Sequence, residues 1–441
     1  MYTVKDFTIG MVVNLKSAEE IKNWEFHGGI PCDVYGSKDV VVIGVYSNSN
    51  DFSAYTIKGD MVRSLGGGWR WIPSLVNEIV TDKERIKKAY IACGRTPHFC
   101  PICGKLISPY NRLCDDCAKD YFICSKCGEP HPITDCVSVG TKRFCASCFN
   151  EEVNAEKIVK LSDGTYALSR DCAFINGEYI NVSRYDGINC YHDMKEAGNY
   201  HFFKTEEDGR SPLYLGVELE VENPDEDRDE NNDARIVKAY LGADFVEHEE
   251  DGSLDNGFEN ITHPATFAYH KQIADKYKIA FDFLRRNGYT SHQNGDCGLH
   301  IHFNRNFFGR EEEERVSKLL YLTEKFWNEM VIFSRRSENQ LNRWAKRYDE
   351  AHDAVCKHLK DGYYGRYHAI NLVNSKTIEF RLFRGTLNLE TFYATLELVD
   401  RLVRLAKDST IESLKTLTWD DVINTDTLKN YYNRVVLRKQ R

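Results

Sequence analysis

The segment "LYLGVELEVE", residues 213–222, decides the architecture. Leu215, Val217, Leu219 and Val221 recur at every second position, and Glu218 and Glu220 fall between them. A strand turns successive side chains to opposite faces, so this one is apolar behind and anionic in front. Neighbouring carboxylates repel unless cations neutralise them, which raises the question of what stands near that face.

Two segments downstream repeat the pattern. "GLHIHFN" (298–304) alternates Leu299, Ile301 and Phe303 with His300 and His302, and "TIEFRLF" (377–383) alternates Ile378, Phe380 and Leu382 with Glu379 and Arg381. Between the first two strands, "DGSLDNGFE" (251–259) supplies Asp251 and Glu259. Any one of these strands alone reads as half-buried with a solvated polar face. Their joint occurrence suits hard divalent cations with oxygen ligands, Mg2+ above all, with imidazole as an extra ligand.

Helices are expected over 266–286, 311–335 and 390–407. In the second, Val316, Leu319, Leu320, Phe326, Trp327, Met330 and Val331 keep the three-four spacing of a buried face; in the third, Phe392, Leu396, Val399 and Val403 do so. A strand is also expected over 367–373. "NPDEDRDENND" (Asn223 to Asp233) is too charged to pack and reads as a mobile loop.

Upstream lies a cysteine-rich stretch. Cys100-x2-Cys103 with Cys114-x2-Cys117, then Cys124-x2-Cys127 with Cys145-x2-Cys148, supply two sets of four thiolates in paired knuckles. Each set closes a tetrahedral zinc site, giving two Zn2+ with no open position, so the metals are structural rather than catalytic. "CPICGK" and "CSKCGE" put glycine where a knuckle must turn tightly. His131 and Cys136 are alternative ligands in the second module, but the all-CxxC set gives both halves the same geometry. Redox CxxC motifs are the competing reading.

The other regions are less informative. Residues 1–92 read as a small, mostly β domain, with β-rich runs at Val40 to Tyr46 and Tyr55 to Ile57 and glycines at Gly66, Gly67 and Gly68. Residues 93–150 hold the zinc modules. Residues 151–208 form a hairpin-rich connector with turns at Asp163-Gly164 and Asn176-Gly177. Residues 209–441 hold the strands with chemically active faces.

With 441 residues, 42% hydrophobic and 28% charged, the chain is globular and of several domains. Fifteen cysteines gathered mostly as CxxC pairs point to metal binding in a reducing compartment, so a cytoplasmic location is expected. The N-terminus lacks the pattern of a signal peptide, and no apolar run is long enough to span a bilayer, so no membrane partner is expected. A net charge of −9 gives no global basic field, leaving nucleic acid without support as a partner.

The order GVELE, DGS…GFE, HIHF, RYHAINL and IEFR…GTLN, from Tyr214 to Lys407, resembles the amidoligase branch of the carboxylate-amine ligases, which is similar in catalytic core to glutamine synthetase and glutamate-cysteine ligase. The resemblance implies an α+β fold, a curved antiparallel sheet forming a funnel with flanking helices. It implies ATP-dependent joining of a carboxylate to an amine through an acyl phosphate, making 209–441 the catalytic domain. By position, Glu220, Asp251 and Glu259 would hold one magnesium and Glu218, His300 and Glu379 another. His302 would lie near the nucleotide phosphates, and Arg366 and Arg381 would clamp phosphate oxygens. The sequence departs from the family at "ENITHPAT", where His263 precedes Pro264, and Arg384 faces away from Arg381 unless a bulge intervenes.

No P-loop is present, since "GGGWRW" (66–71) lacks the Gly-Lys-Ser/Thr ending, so phosphate handling must fall to metals and arginine. The zinc modules hint at a docked protein or peptide substrate. A scaffold without turnover, and a metal-dependent hydrolase or phosphotransferase on the same strands, are the competing readings.

Overall fold

The computed structural model describes residues 2–23, 35–54, 70–191, 198–292, 297–348 and 366–439. The expected run Tyr55 to Ile57 and the glycines Gly66 to Gly68 lie outside the described residues. The chain divides into two compact units, Met1–Ile158 and Val159–Arg441.

The first unit opens with a five-stranded antiparallel sheet in the order Arg70–Trp71, Asp51–Ala54, Asp39–Tyr46, Val12–Leu15 and Val76–Ile79. Phe7, Tyr35, Phe52 and Trp71 form its core. The cysteine-rich stretch follows as three two-stranded hairpins and the helix Ala146–Asn154.

The second unit is built on a seven-stranded sheet. Its strands are β1 (Ile188–Asn189), β2 (Leu215–Glu222), β3 (Val246–Glu249), β4 (Gly257–Thr262), β5 (Gly298–Asn304), β6 (Ile370–Asn371) and β7 (Thr377–Arg384), in the order β1-β3-β4-β2-β5-β7-β6. All pairings are antiparallel except the short edge pair β1–β3. Leu215, Val217, Leu219, Phe258, Leu299, Ile301, Phe303, Ile378 and Phe380 all join one buried core. Helices fill that core from the far side, among them α1 (Glu230–Leu241), α2 (Phe267–Gln272), α3 (Ala274–Arg286), α4 (Glu312–Lys325), α5 (Trp327–Ser334) and α6 (Leu389–Asp408). The fold is therefore α+β: a largely antiparallel sheet with helices on its apolar face. Phe303 is 1% exposed and packs against Phe308 and Phe380, so Phe303→Ala is expected to cost about 3–5 kcal/mol, read from the urea midpoint.

Three expectations need correction. The helices expected over 266–286 and 311–335 are each broken at one residue, Ile273 (φ −97°, ψ 22°) and Phe326 (φ −108°, ψ 28°). Both residues stay buried, so the apolar spacing continues across the break and hides it. The acidic run is not all loop: Asp229 caps α1 by accepting the Asn232 N–H, and Glu230 and Asp233 occupy its first turn, where negative charge suits the helix dipole. Asp233 is buried because Arg228 grips it with two hydrogen bonds and the Tyr289 hydroxyl donates a third. The strand expected over 367–373 is only the two residues of β6.

Both expected hairpin turns form, with Gly164 at φ 86° and Asn176 and Gly177 at 52° and 89°. The hairpin of Cys172–Ile175 and Glu178–Asn181 lies against the large sheet's layer: Ala173 and Val182 pack on Ile236 of α1. No helix among the described residues is long and apolar enough to cross a membrane.

Candidate active site

The strand registers assemble the polar face. Glu218 of β2 sits opposite His300 of β5, Gly216 opposite His302, and His302 opposite Glu379 of β7. On the other flank, Glu220 pairs with Glu259, which pairs with Glu249 of β3, so three carboxylates stand abreast across adjacent strands. This face forms the floor of a cavity of about 1000 Å3 lined by Glu218, Glu249, Asp251, Glu259, His300, His302, Arg366, Glu379 and Arg381.

Glu218 is the hub. Its Oε1 lies 2.9 Å from His302 Nε2, and its Oε2 lies 3.4 Å from His300 Nδ1. Burial alone would raise its pKa, but the two imidazoles hold it well below the usual carboxylate range. His302 is pushed up to about 9, because Glu218 and Glu379 outweigh the burial that opposes its charge. Glu259 moves the other way, well above its ordinary value, through burial and the charges of Glu218, Glu220, Asp251 and Glu249. A cluster in which carboxylates force a proton onto one another is one that a divalent cation would relieve.

The donor atoms fit such cations. Glu218, Glu259 and His300 offer ligand atoms within 4.8 Å of one another, as do Glu218, His302 and Glu379. The sets inferred from sequence are thus brought to one face but grouped differently. Glu220 does not line the cavity; it is 4% exposed, and its Oε2 accepts the Gly298 N–H at 2.5 Å. Asp251 lines the cavity while its Oδ1 accepts from the backbone and hydroxyl of Ser253.

Arg366 and Arg381 share one tyrosine: their guanidinium carbons lie 5.2 and 5.8 Å from the ring centroid of Tyr367. Arg366 donates to the Tyr191 hydroxyl at 3.0 Å, and Arg381 donates to Glu379 at 2.5 Å while its Nε is buried without a partner among the described residues. A bulge on β7 sets two residues, Arg381 and Leu382, against His300, so Arg384 pairs with Gly298 and returns to the polar face.

Sequence reading missed four contributors. Glu249 was marked by the alternation in "VEHE", but its strand is short. Asn371, which donates to Glu379 Oε2 at 2.7 Å, and Tyr367 lie inside "RYHAINL" without a charge to flag them. Arg336, just beyond α5, carries no local pattern.

In the first unit both four-cysteine groups gather, each with its sulfurs within 4.8 Å of one another. Cys103 and Cys114 Sγ lie 3.6 Å apart, close to the roughly 3.8 Å between thiolates on a tetrahedral zinc with 2.3 Å bonds. The two knuckles are copies: Gly104 (φ 72°) donates to Cys100 O, and Gly128 (φ 77°) donates to Cys124 O. Burial opposes it, but peptide N–H groups aimed at sulfur hold Cys100 and Cys124 down to about 6. These groups fit zinc. His131 Nε2 lies 3.5 Å from Cys127 Sγ and groups with Asp135 and Cys145, while Cys136 is in neither four-cysteine set.

Residues 257–403 match the family described as putative amidoligase enzyme. That segment contains Glu259, His300, His302, Arg366, Glu379 and Arg381, and it leaves out Glu218, Glu220 and Asp251. No curated protein matches the chain. Among solved structures, apo GmaS without ligand aligns at 14% identity over 51% of this chain and 65% of its own, with a TM-score of 0.30. The complex between the prokaryotic ubiquitin-like protein Pup and its ligase PafA aligns at 9% identity over 46% of this chain and 48% of the other, with a TM-score of 0.23. The chain therefore spans less than two thirds of the length of either.

Proposed function

We propose, on the premise that residues 257–403 form an amidoligase-family segment, that the chain is an ATP- and magnesium-dependent carboxylate-amine ligase acting through an acyl phosphate. The observation that carries this reading is the convergence of carboxylates and imidazoles from β2, β3, β4, β5 and β7 on the floor of one large cavity. Forming an amide in water is uphill, so the carboxylate must first be activated by phosphoryl transfer, and the amine then displaces phosphate. That chemistry needs positioning and charge neutralisation more than covalent help from the protein.

Glu218, Glu259 and His300 would hold one cation, and Glu218, His302 and Glu379 a second, with Asp251 and Glu249 completing the acidic lining. Magnesium bound there would neutralise phosphate oxygens of ATP. Before the second cation binds, Glu218 and Glu379 hold a proton on His302 against its burial, and ligation through the imidazole would displace that proton. Arg381, with an unpaired buried Nε, and Arg366 at the cavity wall would take the phosphate oxygens left uncovered.

We keep the four-part division 1–92, 93–150, 151–208 and 209–441 as the functional one, with zinc modules that dock a protein or peptide substrate, in a cytoplasmic setting. ADP release and product mass, followed across panels of carboxylates and amines, test the chemistry. Dependence on both is expected. Turnover with the carboxylate alone would indicate a phosphotransferase, cleavage without ATP a hydrolase, and no turnover a scaffold. Full activity on a free amino acid after deletion of residues 95–150 would argue against docking.

Gly298→Ala probes the floor directly. A Cβ there would sit 2.5 Å from His300 Nε2 and 2.8 Å from Arg336 Nη2, both on buried side chains. Displacing them by part of an ångström is expected to lower kcat about 10²-fold with little change in melting temperature. Unaltered kcat in the folded variant would remove His300 from the reaction.

A further inference from the structure

We propose that Arg336 is the internal counter-ion of the acidic site, a positioning residue that neutralises Glu220 from behind and reserves the cavity-facing carboxylates for divalent cations. The inference rests on the reading of the site as a divalent-cation centre.

Arg336 is 3% exposed, deeper than any ordinary surface guanidinium, and its Nη1 is buried without a hydrogen-bond partner among the described residues. The chain aims it inward at the end of α5. Arg335 takes a left-handed conformation (φ 63°) that stops the helix, and the Arg336 N–H then donates to Ser334 Oγ at 3.2 Å. Arg336 Nε donates to Phe383 O of β7 at 3.3 Å, which fixes the guanidinium beside the start of β5. There Gly298 lets it approach: the point where a Cβ would stand is 2.8 Å from Arg336 Nη2 and 2.5 Å from His300 Nε2. Glu220 meets the backbone of the same glycine, accepting the Gly298 N–H at 2.5 Å, with its Oε1 3.9 Å from His300 Nε2.

A buried cation is tolerated only beside an anion. Glu220 favours the charge of Arg336, with a smaller contribution from Cys297, while Arg381 and Arg384 oppose it. Glu220 in turn is the one carboxylate of the inferred set that does not line the cavity. Glu220 and Arg336 are thus both buried away from the cavity lining, and Glu218, Glu249, Asp251, Glu259 and Glu379 face the open space.

The test counts bound Mn2+ in the full-length protein from loss of the free-ion EPR signal. Arg336→Met is expected to tighten Mn2+ binding about tenfold, because the charge of Glu220 is no longer cancelled. Arg336→Lys should keep the wild-type affinity, and Arg336→Met combined with Glu220→Gln should return to it. A purely structural arginine predicts the opposite sign, so unchanged or weaker Mn2+ binding by folded Arg336→Met overturns the proposal. Should that variant not fold, the double variant decides. With both charges gone it is expected to fold and to bind Mn2+ as the wild type does, and failure of either overturns the proposal. Wild-type protein that binds no Mn2+ is a distinct outcome, which sinks the metal reading of the site and the counter-ion with it.

Discussion

Glu218→Gln is expected to lower the proposed ATP-dependent joining of carboxylate and amine by about 10³-fold, the scale that follows when a preorganised charge is removed from a reacting centre. The substitution keeps the shape and removes the charge. Glu218 is the residue common to the Glu218/Glu259/His300 and Glu218/His302/Glu379 groups, so one change weakens both. It also removes the anion 2.9 Å from His302, and the imidazole loses the larger of the two acidic neighbours that keep it protonated. The measurement is kcat from ADP release at saturating magnesium, beside a melting curve. The same loss with an intact melting curve is expected whichever substrates prove correct. A folded variant with more than about a tenth of wild-type kcat would leave the residue outside the chemistry.

The second large effect lies in the other unit. Purified protein is expected to carry two zinc equivalents, and Cys124→Ser to lose one of them together with the fold of its module. Cys124 is fully buried at the centre of its group, and its sulfur accepts the Cys145 N–H at 3.5 Å. Structural zinc contributes on the order of 10–16 kcal/mol of apparent binding free energy in small modules, more than the hairpins there could replace. Metal analysis gives the stoichiometry, and limited proteolysis between 120 and 150 gives the unfolding. Retention of both equivalents would return the second module to the reading with His131 or Cys136 as ligand.

Much of the site could be read from the chain because its strands obey a period of two. Once Val217 and Leu219 are assigned to the core, Glu218 and Glu220 have nowhere else to point, and the same holds for His300, His302 and Glu379. The cysteine knuckles were legible for a similar reason: fixed spacing and a glycine that must turn. What alternation could not supply was depth. Glu218 and Glu220 share a face, yet one lines the cavity and the other is tucked behind it, because Gly298 offers its N–H to Glu220. Arg336 was invisible, since its place follows from a left-handed residue at a helix end, which only the folded chain reveals. The acidic run misled because a capping aspartate and a buried ion pair turned charge into structure.

The bulge opposite His300 has a wider consequence. It works as a phase shift in β7: every residue beyond it changes sides relative to a plain count from Glu379. Alignments that slide this strand as a rigid two-beat pattern will assign Arg384 to the wrong layer. A one-residue deletion between Arg381 and Phe383 in a distant relative would therefore remove the bulge and keep the layers, with Phe383 still opposite Leu299 and Arg384 still opposite Gly298.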